Sequence, residues 1–234
     1  MRDAEPQILD PISDNEVLLT VLHLASPALP IGSFAYSQGL EQVIADGLVH
    51  DRDSTQSWIS DLLALVMARQ ELVLWRCCAQ AASARDWEDL RVWNRRVMAL
   101  RETHELRLES RQMGQSMSRL FPDWSAGGLA EAGIRDWSYT AAHASLCGAQ
   151  GISLKVGMTA FAWAWTEAQV MAAVRHVPLG QSDGQHVLHN LRQEIPAAVR
   201  IALDRATADL GSASLGLAIA SSRHETLYSR LFRS

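Results

Sequence analysis

Two pairs of side chains in this chain have the types and spacing that a metal site on a helix requires. His143 and Cys147 lie four residues apart, and His186 and His189 lie three apart, so either pair could project from one helical face and bind a transition metal. The neighbours of His143 and Cys147 are mostly small apolar residues, among which a buried histidine and a buried thiol are ordinary. We therefore interpret both pairs as structural and predict no metal site and no cofactor.

The sequence contains none of the common catalytic motifs. Gly211 and Gly216 have the glycine spacing of a phosphate-binding loop, but Leu217 follows where that loop requires lysine. The patterns GxSxG, GxGxxG and HExxH are also absent. The chain is therefore predicted not to be an enzyme. A metal-dependent enzyme on a helical bundle, using one of the histidine sites above, is the alternative.

Composition and cysteine content limit the partners and the compartment. A net charge of −5 argues against nucleic-acid binding, which normally needs a basic face. Three cysteines cannot all pair, and Cys77 and Cys78 are adjacent, so a reducing compartment is expected. The first residues lack the regions of a signal peptide, and no segment approaches the roughly 20 apolar residues that span a bilayer. We expect a cytoplasmic protein that binds neither nucleic acid nor membrane.

The final segment, RHETLYSRLFRS at 223–234, has the composition of a binding segment. Arginines alternate with an apolar face at helical spacing, formed by Leu227, Tyr228, Leu231 and Phe232. A helix this short is not stable alone, so the segment must dock on its own chain or in a partner's groove, where it would fold on binding. Because aromatic and arginine side chains are enriched at interfaces, the composition favours a partner.

A second unusual segment, SPALPIGSFAYSQGLE at 26–41, interrupts the helical pattern near the start of the chain. Pro27 and Pro30 lack backbone donors and disfavour helical dihedral angles in the residues before them, and Gly32 permits a left-handed backbone. We predict a rigid corner that carries Tyr36 at the mouth of the next helix.

Apolar residues recur at helical spacing through most of the remaining chain, and no stretch alternates as a strand would. A long helix is predicted from a cap at Asp53 or Ser54 to about residue 84, and Gly114 with its small neighbours predicts close helix packing. The expected fold is all-α, a compact helical bundle of about ten helices in a single domain. The expected divisions are a flexible lead at 1–12, the helical domain at 13–222 and an interaction tail at 223–234.

Three blocks of sequence together resemble the UreF family of urease accessory proteins. They are the corner segment at 26–41, PLGQSDGQ at 178–185 and HETLYSRLFRS at 224–234, and they occur in that family's order. The resemblance implies an all-α homodimer that is not itself catalytic and takes part in urease maturation. It further implies three partners: a UreD/UreH-type accessory protein, the GTPase UreG, and apo-urease, into which the assembly inserts nickel.

The resemblance also implies which residues contact these partners. Tyr36 matches the tyrosine of the first family signature and Arg230 the arginine of the last, so both are expected to contact the UreD/UreH-type protein. The tail is expected to become ordered in that complex. The other expected contact residues flank these two and are Ser37, Gln38, Gly39, Arg223, His224, Glu225, Tyr228, Leu231 and Phe232.

A regulator of the UreG GTPase is the alternative within the same resemblance. Such a regulator is expected to supply an arginine to the nucleotide site. Since every basic residue except Lys155 is an arginine, no single arginine stands out for that role.

Overall fold

The computed structural model describes residues 14–121, 128–211 and 214–234. The predicted flexible lead at residues 1–12 lies outside these ranges. Helices follow one another along most of the described chain, which confirms the all-α prediction. They are α1 (Asp14–Leu24), α2 (Leu40–Ala45), α3 (Arg52–Leu62), α4 (Leu72–Ser83), α5 (Trp87–Ala99), α6 (His104–Leu120), α7 (Gly128–Glu131), α8 (Tyr139–Ala149), α9 (Leu154–His176), α10 (Gln181–Leu191), α11 (Ile195–Asp204) and α12 (Leu215–His224).

The number of helices agrees with the prediction of about ten in one domain. A π-helical stretch, Leu63–Glu71, joins α3 to α4 without a break, and α7 is a single turn. With α3 and α4 counted as one helix and α7 left out, the twelve α-helices become ten, and no strand occurs in the described ranges. Within the same ranges, no helix is both long and apolar enough to cross a membrane.

The long helical segment from α3 to α4 forms the centre of the bundle. Its predicted cap is wrong, because Asp51 rather than Asp53 or Ser54 caps α3. The Asp51 carboxylate accepts the main-chain N–H of Ser54 at 2.8 Å. Further along, Trp75 is fully buried and α4 packs along α8. The segment therefore provides much of the core on which the other helices pack.

Glycines allow α8 to lie very close to the helices on both sides of it. A Cβ on Gly114 of α6 would lie 2.3 Å from the carbonyl oxygen of Trp137, just before α8. A Cβ on Gly148 of α8 would lie 2.6 Å from the carbonyl oxygen of Ala79 in α4. Both distances are far below van der Waals contact, so a larger residue would push the helices apart. The close packing predicted at Gly114 is confirmed.

The corner at 26–41 has the backbone that its glycines predict. Gly32 and Gly39 have φ angles of 82° and 78°, in the left-handed region, and Gln38 also has a positive φ, of 53°. A Cβ on Gly39 would lie 3.0 Å from the main-chain nitrogen of Ser221 in α12. The corner is therefore packed directly against the last helix.

Candidate functional site

The corner and the residues after α12, the tail segment (225–234), form one continuous structure. The main-chain N–H and the hydroxyl of Ser37 both donate to the main-chain oxygen of Ser234, at 2.7 and 2.5 Å. The main-chain N–H of Arg233 donates to the carbonyl oxygen of Ala35 at 2.8 Å. Two of the three family-like blocks, far apart in the sequence, thus meet at one place.

The carboxylate of Glu41, in the first turn of α2, anchors the tail segment. It is buried, and it accepts the main-chain N–H groups of Leu231 at 2.6 Å and of Phe232 at 2.9 Å. Burial raises the pKa of this carboxyl. Hydrogen bonds from Leu231, His224 and Phe232 outweigh that effect and leave the pKa below its usual value. Glu41 is therefore ionised at neutral pH, where it anchors the tail.

The ring of Phe232 belongs to a small apolar cluster beside α2 and α9. The cluster includes Leu40, Val43 and Val177, and only 5% of the surface of Phe232 is exposed. Leu179, from the block at 178–185, packs against the same cluster, so the middle family-like block borders the site. Burying a phenylalanine side chain contributes roughly 1.5–3 kcal/mol, which adds to the hold of Glu41 on the tail.

His224, the last residue of α12, is fully buried between two carboxylates from different helices. Its Nδ1 lies 2.6 Å from Oε2 of Glu105 in α6, and its Nε2 lies 3.0 Å from Oε2 of Glu41. Oε1 of Glu105 also accepts a hydrogen bond from Arg230 at 2.5 Å. Both ring nitrogens face carboxyl oxygens, so with both carboxyls ionised the two contacts are hydrogen bonds only when the ring carries a proton on each nitrogen.

Glu225 ties the end of α12 to the start of α6. Its Oε1 accepts the main-chain N–H groups of His104 at 2.9 Å and of Glu105 at 3.3 Å. These groups lie in the first turn of α6, where a helix lacks internal acceptors and its dipole favours a negative charge. The hydroxyls of Thr103 and Ser221 are 2.7 Å apart beside this contact. The predicted contact residue Glu225 is thus hydrogen-bonded within its own chain.

A further carboxylate of α6, that of Glu109, joins the tail to the corner. Its Oε2 accepts the hydroxyl of Ser234 at 2.8 Å, and its Oε1 accepts the side-chain amide of Gln38 at 2.6 Å. The amide oxygen of Gln38 accepts the indole N–H of Trp165 in α9 at 2.8 Å. Burial raises the pKa of Glu109. Gln38 therefore connects α6 to α9 beside the tail.

Tyr36 is buried, with 6% of its surface exposed. Its hydroxyl donates to Oε1 of Gln112 at 2.5 Å. Burial, and after it the negative charge of Glu109, raises the pKa of this phenol. Ser37 and Gly39 are buried as well. Ser37 holds the tail through Ser234, whereas Gly39 lies against α12. Contact of these three residues with a partner stays a prediction.

Other predicted contact residues are well exposed. Tyr228 is fully accessible, Leu231 is 61% exposed, and Arg223 and Arg230 lie at the surface. Arg223 pairs with Asp46, the residue after α2, at 2.6 Å. The predicted set thus divides into residues that hold the tail segment and exposed residues that lie on it or, for Arg223, on α12. Their contact with a partner stays a prediction.

The tail segment differs from its predicted form. Apolar spacing predicts a helix through Phe232, but α12 ends at His224 and the residues after it form turns. Of the two possibilities that the sequence leaves open, docking on the chain itself or in a partner's groove, the structure shows the first. The expectation that a partner is needed to order the tail is wrong for this conformation. The boundary predicted between residues 222 and 223 falls inside α12.

Three carboxylates at the centre of this site were not predicted as functional from the sequence. Glu41 lies in the family-like corner, but no residue pattern around it marks a binding site. Glu105 and Glu109 lie in a helix whose pattern predicts only close packing. The signal that could have identified Glu105 and Glu109 is their spacing. They lie four residues apart on one face of α6, next to apolar Leu106 and in line with Met113. Carboxylates on an apolar face need partners, and here the tail supplies them.

A cavity of about 290 Å³ lies beneath the corner. Its lining is mainly apolar and comes from α1, the corner, the π-helical stretch and α9. Its polar part includes a buried ion pair, in which Arg101 donates to both carboxylate oxygens of Glu71 at 2.8 and 2.7 Å and the Thr140 hydroxyl also donates to Glu71. Across the described ranges, no three His, Cys, Asp or Glu side chains are grouped as a metal site would require.

The two pairs with metal-ligand spacing lie in different environments. Nδ1 of His143 accepts the indole N–H of Trp75 at 3.1 Å and is 3.6 Å from Sγ of Cys147. Burial lowers the pKa of His143 to about 3 and raises that of the Cys147 thiol well above its usual value. The first pair therefore has the environment of an uncharged core pair. His186 and His189 are exposed on α10.

Comparison with known proteins gives a consistent result over nearly the whole chain. Residues 49–192 match the family model described as UreF. The chain is 45% identical over 220 residues to a urease accessory protein UreF of Bordetella parapertussis, covering 91% of this chain and 100% of that protein. It is likewise 45% identical over 224 residues to a urease accessory protein UreF of Cupriavidus pinatubonensis, covering 93% and 97%.

A longer relative carries an additional part. The chain is 44% identical over 233 residues to a bifunctional urease accessory protein UreEF of Bordetella bronchiseptica. The match covers 97% of this chain but 54% of that protein, so the chain spans about half the length of this relative and nearly all of the two others.

Proposed function

Because the chain belongs to the UreF family of urease accessory proteins, we propose that it is a non-catalytic assembly factor in urease maturation. It binds a UreD/UreH-type accessory protein and the GTPase UreG, and this assembly inserts nickel into the active site of apo-urease. The fused relative, whose name joins two accessory functions in one chain, supports an assembly in which such proteins act side by side.

The exposed side chains of the tail segment carry this proposal. Tyr228 and Leu231 extend from a backbone whose neighbouring residues are held by Glu41 and by the corner. Aromatic and arginine side chains often dominate binding energies, and a backbone that is already ordered loses less entropy on binding. We assign the surface formed by Arg223, Tyr228, Arg230 and Leu231 to the UreD/UreH-type partner.

The buried residues have an indirect role in the same proposal. Tyr36, Ser37 and Gln38 hold the corner, and His224 and Phe232 hold the tail, so that the exposed side chains keep one arrangement. Substituting a buried residue is expected to disturb both the fold and the complex, whereas substituting an exposed one disturbs only the complex. This difference separates the two groups experimentally.

We also propose that the chain works as a homodimer in the cytoplasm. The homodimer follows from the family resemblance. The three cysteines are all unpaired and buried, which supports a reducing compartment. The size of the purified chain in solution tests the first statement directly.

Binding of the UreD/UreH-type protein tests the assignment of the surface. Purified wild-type chain and the double variant Tyr228→Ala, Leu231→Ala are compared by co-purification and by titration calorimetry. The double variant is expected to lose binding while its helical circular dichroism and melting temperature stay at the wild-type values. Ile201→Ala, at a partly exposed residue of α11, is the control. Wild-type affinity in the double variant would remove the tail from the interface.

A further inference from the structure

The tail segment is attached to a buried proton site. Glu41, which accepts the N–H groups of Leu231 and Phe232, also faces Nε2 of His224, and Nδ1 of the same ring faces Glu105. The histidine is completely buried. His224 therefore links α2 to α6, and the charge on its ring decides whether its contacts with the two carboxylates are attractive.

The number of protons on His224 determines how many of these contacts are favourable. With a proton on each nitrogen, the ring donates to Glu41 and to Glu105 and offsets part of their negative charge. With one proton, it donates to a single carboxylate and turns a lone pair toward the other. A ring lone pair that faces a carboxylate oxygen in a buried site is repulsive, and release of the tail would let water come between them.

We propose that a proton on His224 locks the tail segment onto the body of the protein, and that loss of this proton releases residues 225–234. The locked state joins Glu41, His224, Glu105 and Arg230 into one chain of alternating charges. The consequence for partner binding rests on the proposed function, because it is there that the tail carries the binding surface. The lock itself is a property of the isolated chain.

The other charged groups around His224 modify the strength of this lock. They are Asp46 just after α2, His104 and Glu109 of α6, Arg223 of α12, and Glu225 and Arg233 of the tail. The positive charge of Arg223 is paired with Asp46 at the surface, and the carboxylate of Glu225 caps the start of α6. Burial raises the pKa of Glu109. The carboxylates of Glu41 and Glu105, which contact the ring, are therefore the nearest groups that oppose loss of the proton from His224.

The direction of the pH effect follows from the geometry around His224. The charged ring faces both carboxylates only in the locked state, so the locked state binds the proton more tightly and a higher pH favours release. Glu41 sets the acid limit. Its pKa is lowered in the locked state, so the tail is lost in acid only when the pH falls below the usual range of glutamate.

Hydrogen exchange at two amides measures the lock directly. The N–H groups of Leu231 and Phe232 are protected by Glu41, so their protection factors, corrected for intrinsic exchange, report the locked fraction. As the pH is raised, we expect protection at both amides to fall, by at most tenfold per pH unit because a single proton is released. Main-chain amides within α4 are the internal control and should keep their protection.

The histidine ring is observed in the same samples. Nitrogen NMR of the wild-type ring should show both nitrogens protonated while the tail is locked, and one deprotonated as protection is lost. The proposal is overturned if the ring is neutral while Leu231 and Phe232 remain protected. It is equally overturned if protection is constant while the ring loses its proton. These measurements need no substitution and no partner, so a failure to bind the UreD/UreH-type protein would not affect them.

A substitution gives a second test. His224→Gln replaces the ring by a side chain that cannot carry the second proton, so Leu231 and Phe232 should show weak protection that no longer depends on pH. His186→Gln, at an exposed histidine of α10, is the matched control and should keep the wild-type pH profile. Circular dichroism checks that His224→Gln is folded, and the ring measurement on the wild type decides the question if it is not. A folded His224→Gln with the wild-type pH profile contradicts the proposal.

Discussion

Glu41 and Phe232 are separated by 191 positions in the sequence, and the carboxylate of the first accepts the main-chain N–H of the second at 2.9 Å. The same carboxylate accepts the N–H of Leu231 and faces His224. One side chain thus joins the start of α2, the end of α12 and the tail segment. Substitutions at Glu41 should therefore affect local order and global stability together.

Glu41→Gln is expected to lower the free energy of unfolding by about 2–3 kcal/mol, because hydrogen bonds to a charged acceptor are lost and a donor amide faces main-chain donors. Urea denaturation measures this change. Glu88→Gln, at an exposed glutamate of α5 that pairs with Arg91, should change stability by less than about 1 kcal/mol. A change at position 41 no larger than this control would show that Glu41 does not anchor the tail.

The pH dependence of stability gives a separate test of Glu41. Because its pKa is lowered in the folded protein, the charged carboxylate contributes stability above the usual glutamate range, and this contribution is lost as the pH falls through the folded pKa. The wild type should therefore lose stability in acid more steeply than Glu41→Gln. Thermal unfolding at a series of pH values measures the two slopes. Parallel slopes would exclude a lowered pKa at this residue.

Arg230→Ala is expected to weaken the complex with the UreD/UreH-type protein by about 1–3 kcal/mol if the arginine is an interface anchor. Calorimetric titration gives the affinity. The side chain is 40% exposed and pairs with Glu105, so part of the effect reflects a less firmly held tail. Arg192→Ala, at the exposed arginine that follows α10, is the control. Equal affinities for both variants would place Arg230 outside the interface.

Deletion of residues 223–234 should abolish binding to the UreD/UreH-type protein while leaving the helical circular dichroism nearly unchanged, since only the end of α12 is removed. The deletion also removes His224, the two main-chain N–H groups that donate to Glu41, and Arg230, which pairs with Glu105. We therefore expect a loss of about 3–5 kcal/mol in unfolding free energy as well. Retained binding would reject the role of the tail, and unchanged stability would reject its docking on the body.

Deletion also distinguishes an assembly factor from a GTPase regulator. Added wild-type chain is expected to leave GTP turnover by isolated UreG unchanged if it acts only as an assembly factor. A change in turnover that persists after deletion of 223–234 would support the regulator alternative, with its arginine elsewhere in the chain.

Gly114→Ala should destabilise the fold by about 1–3 kcal/mol, because the new Cβ would lie 2.3 Å from the carbonyl oxygen of Trp137 and would push α6 from α8. Gly211→Ala is the control, since a Cβ there meets no atom within 4 Å. Chemical denaturation of both variants measures the difference. If the two variants are equally stable, the close approach of α6 and α8 does not exist in solution.

Much of the fold follows from local pattern. Apolar residues at helical spacing predict the all-α bundle because a helix must bury one face, and this holds for most helices regardless of what they pack against. The left-handed backbone at Gly32 follows from two prolines and a glycine in a short stretch. The start of α3 is misplaced by a few residues because several neighbouring residues can cap, and only the folded chain shows that Asp51 does so.

The amino-acid sequence by itself determined the helical class, the rigid corner, the family and the unusual character of the last residues. The tertiary structure alone decided that the corner and the tail touch, that Glu41, Glu105 and Glu109 receive the tail, and that Tyr36 and His224 are buried. The reason is physical: helix formation depends on residues within a few positions of each other, whereas the tail's N–H groups are satisfied by a carboxylate from the opposite end of the chain. A local pattern can predict that the last residues form a helix. It cannot show that the distant carboxylate of Glu41 will accept the N–H groups that a helix would bond internally.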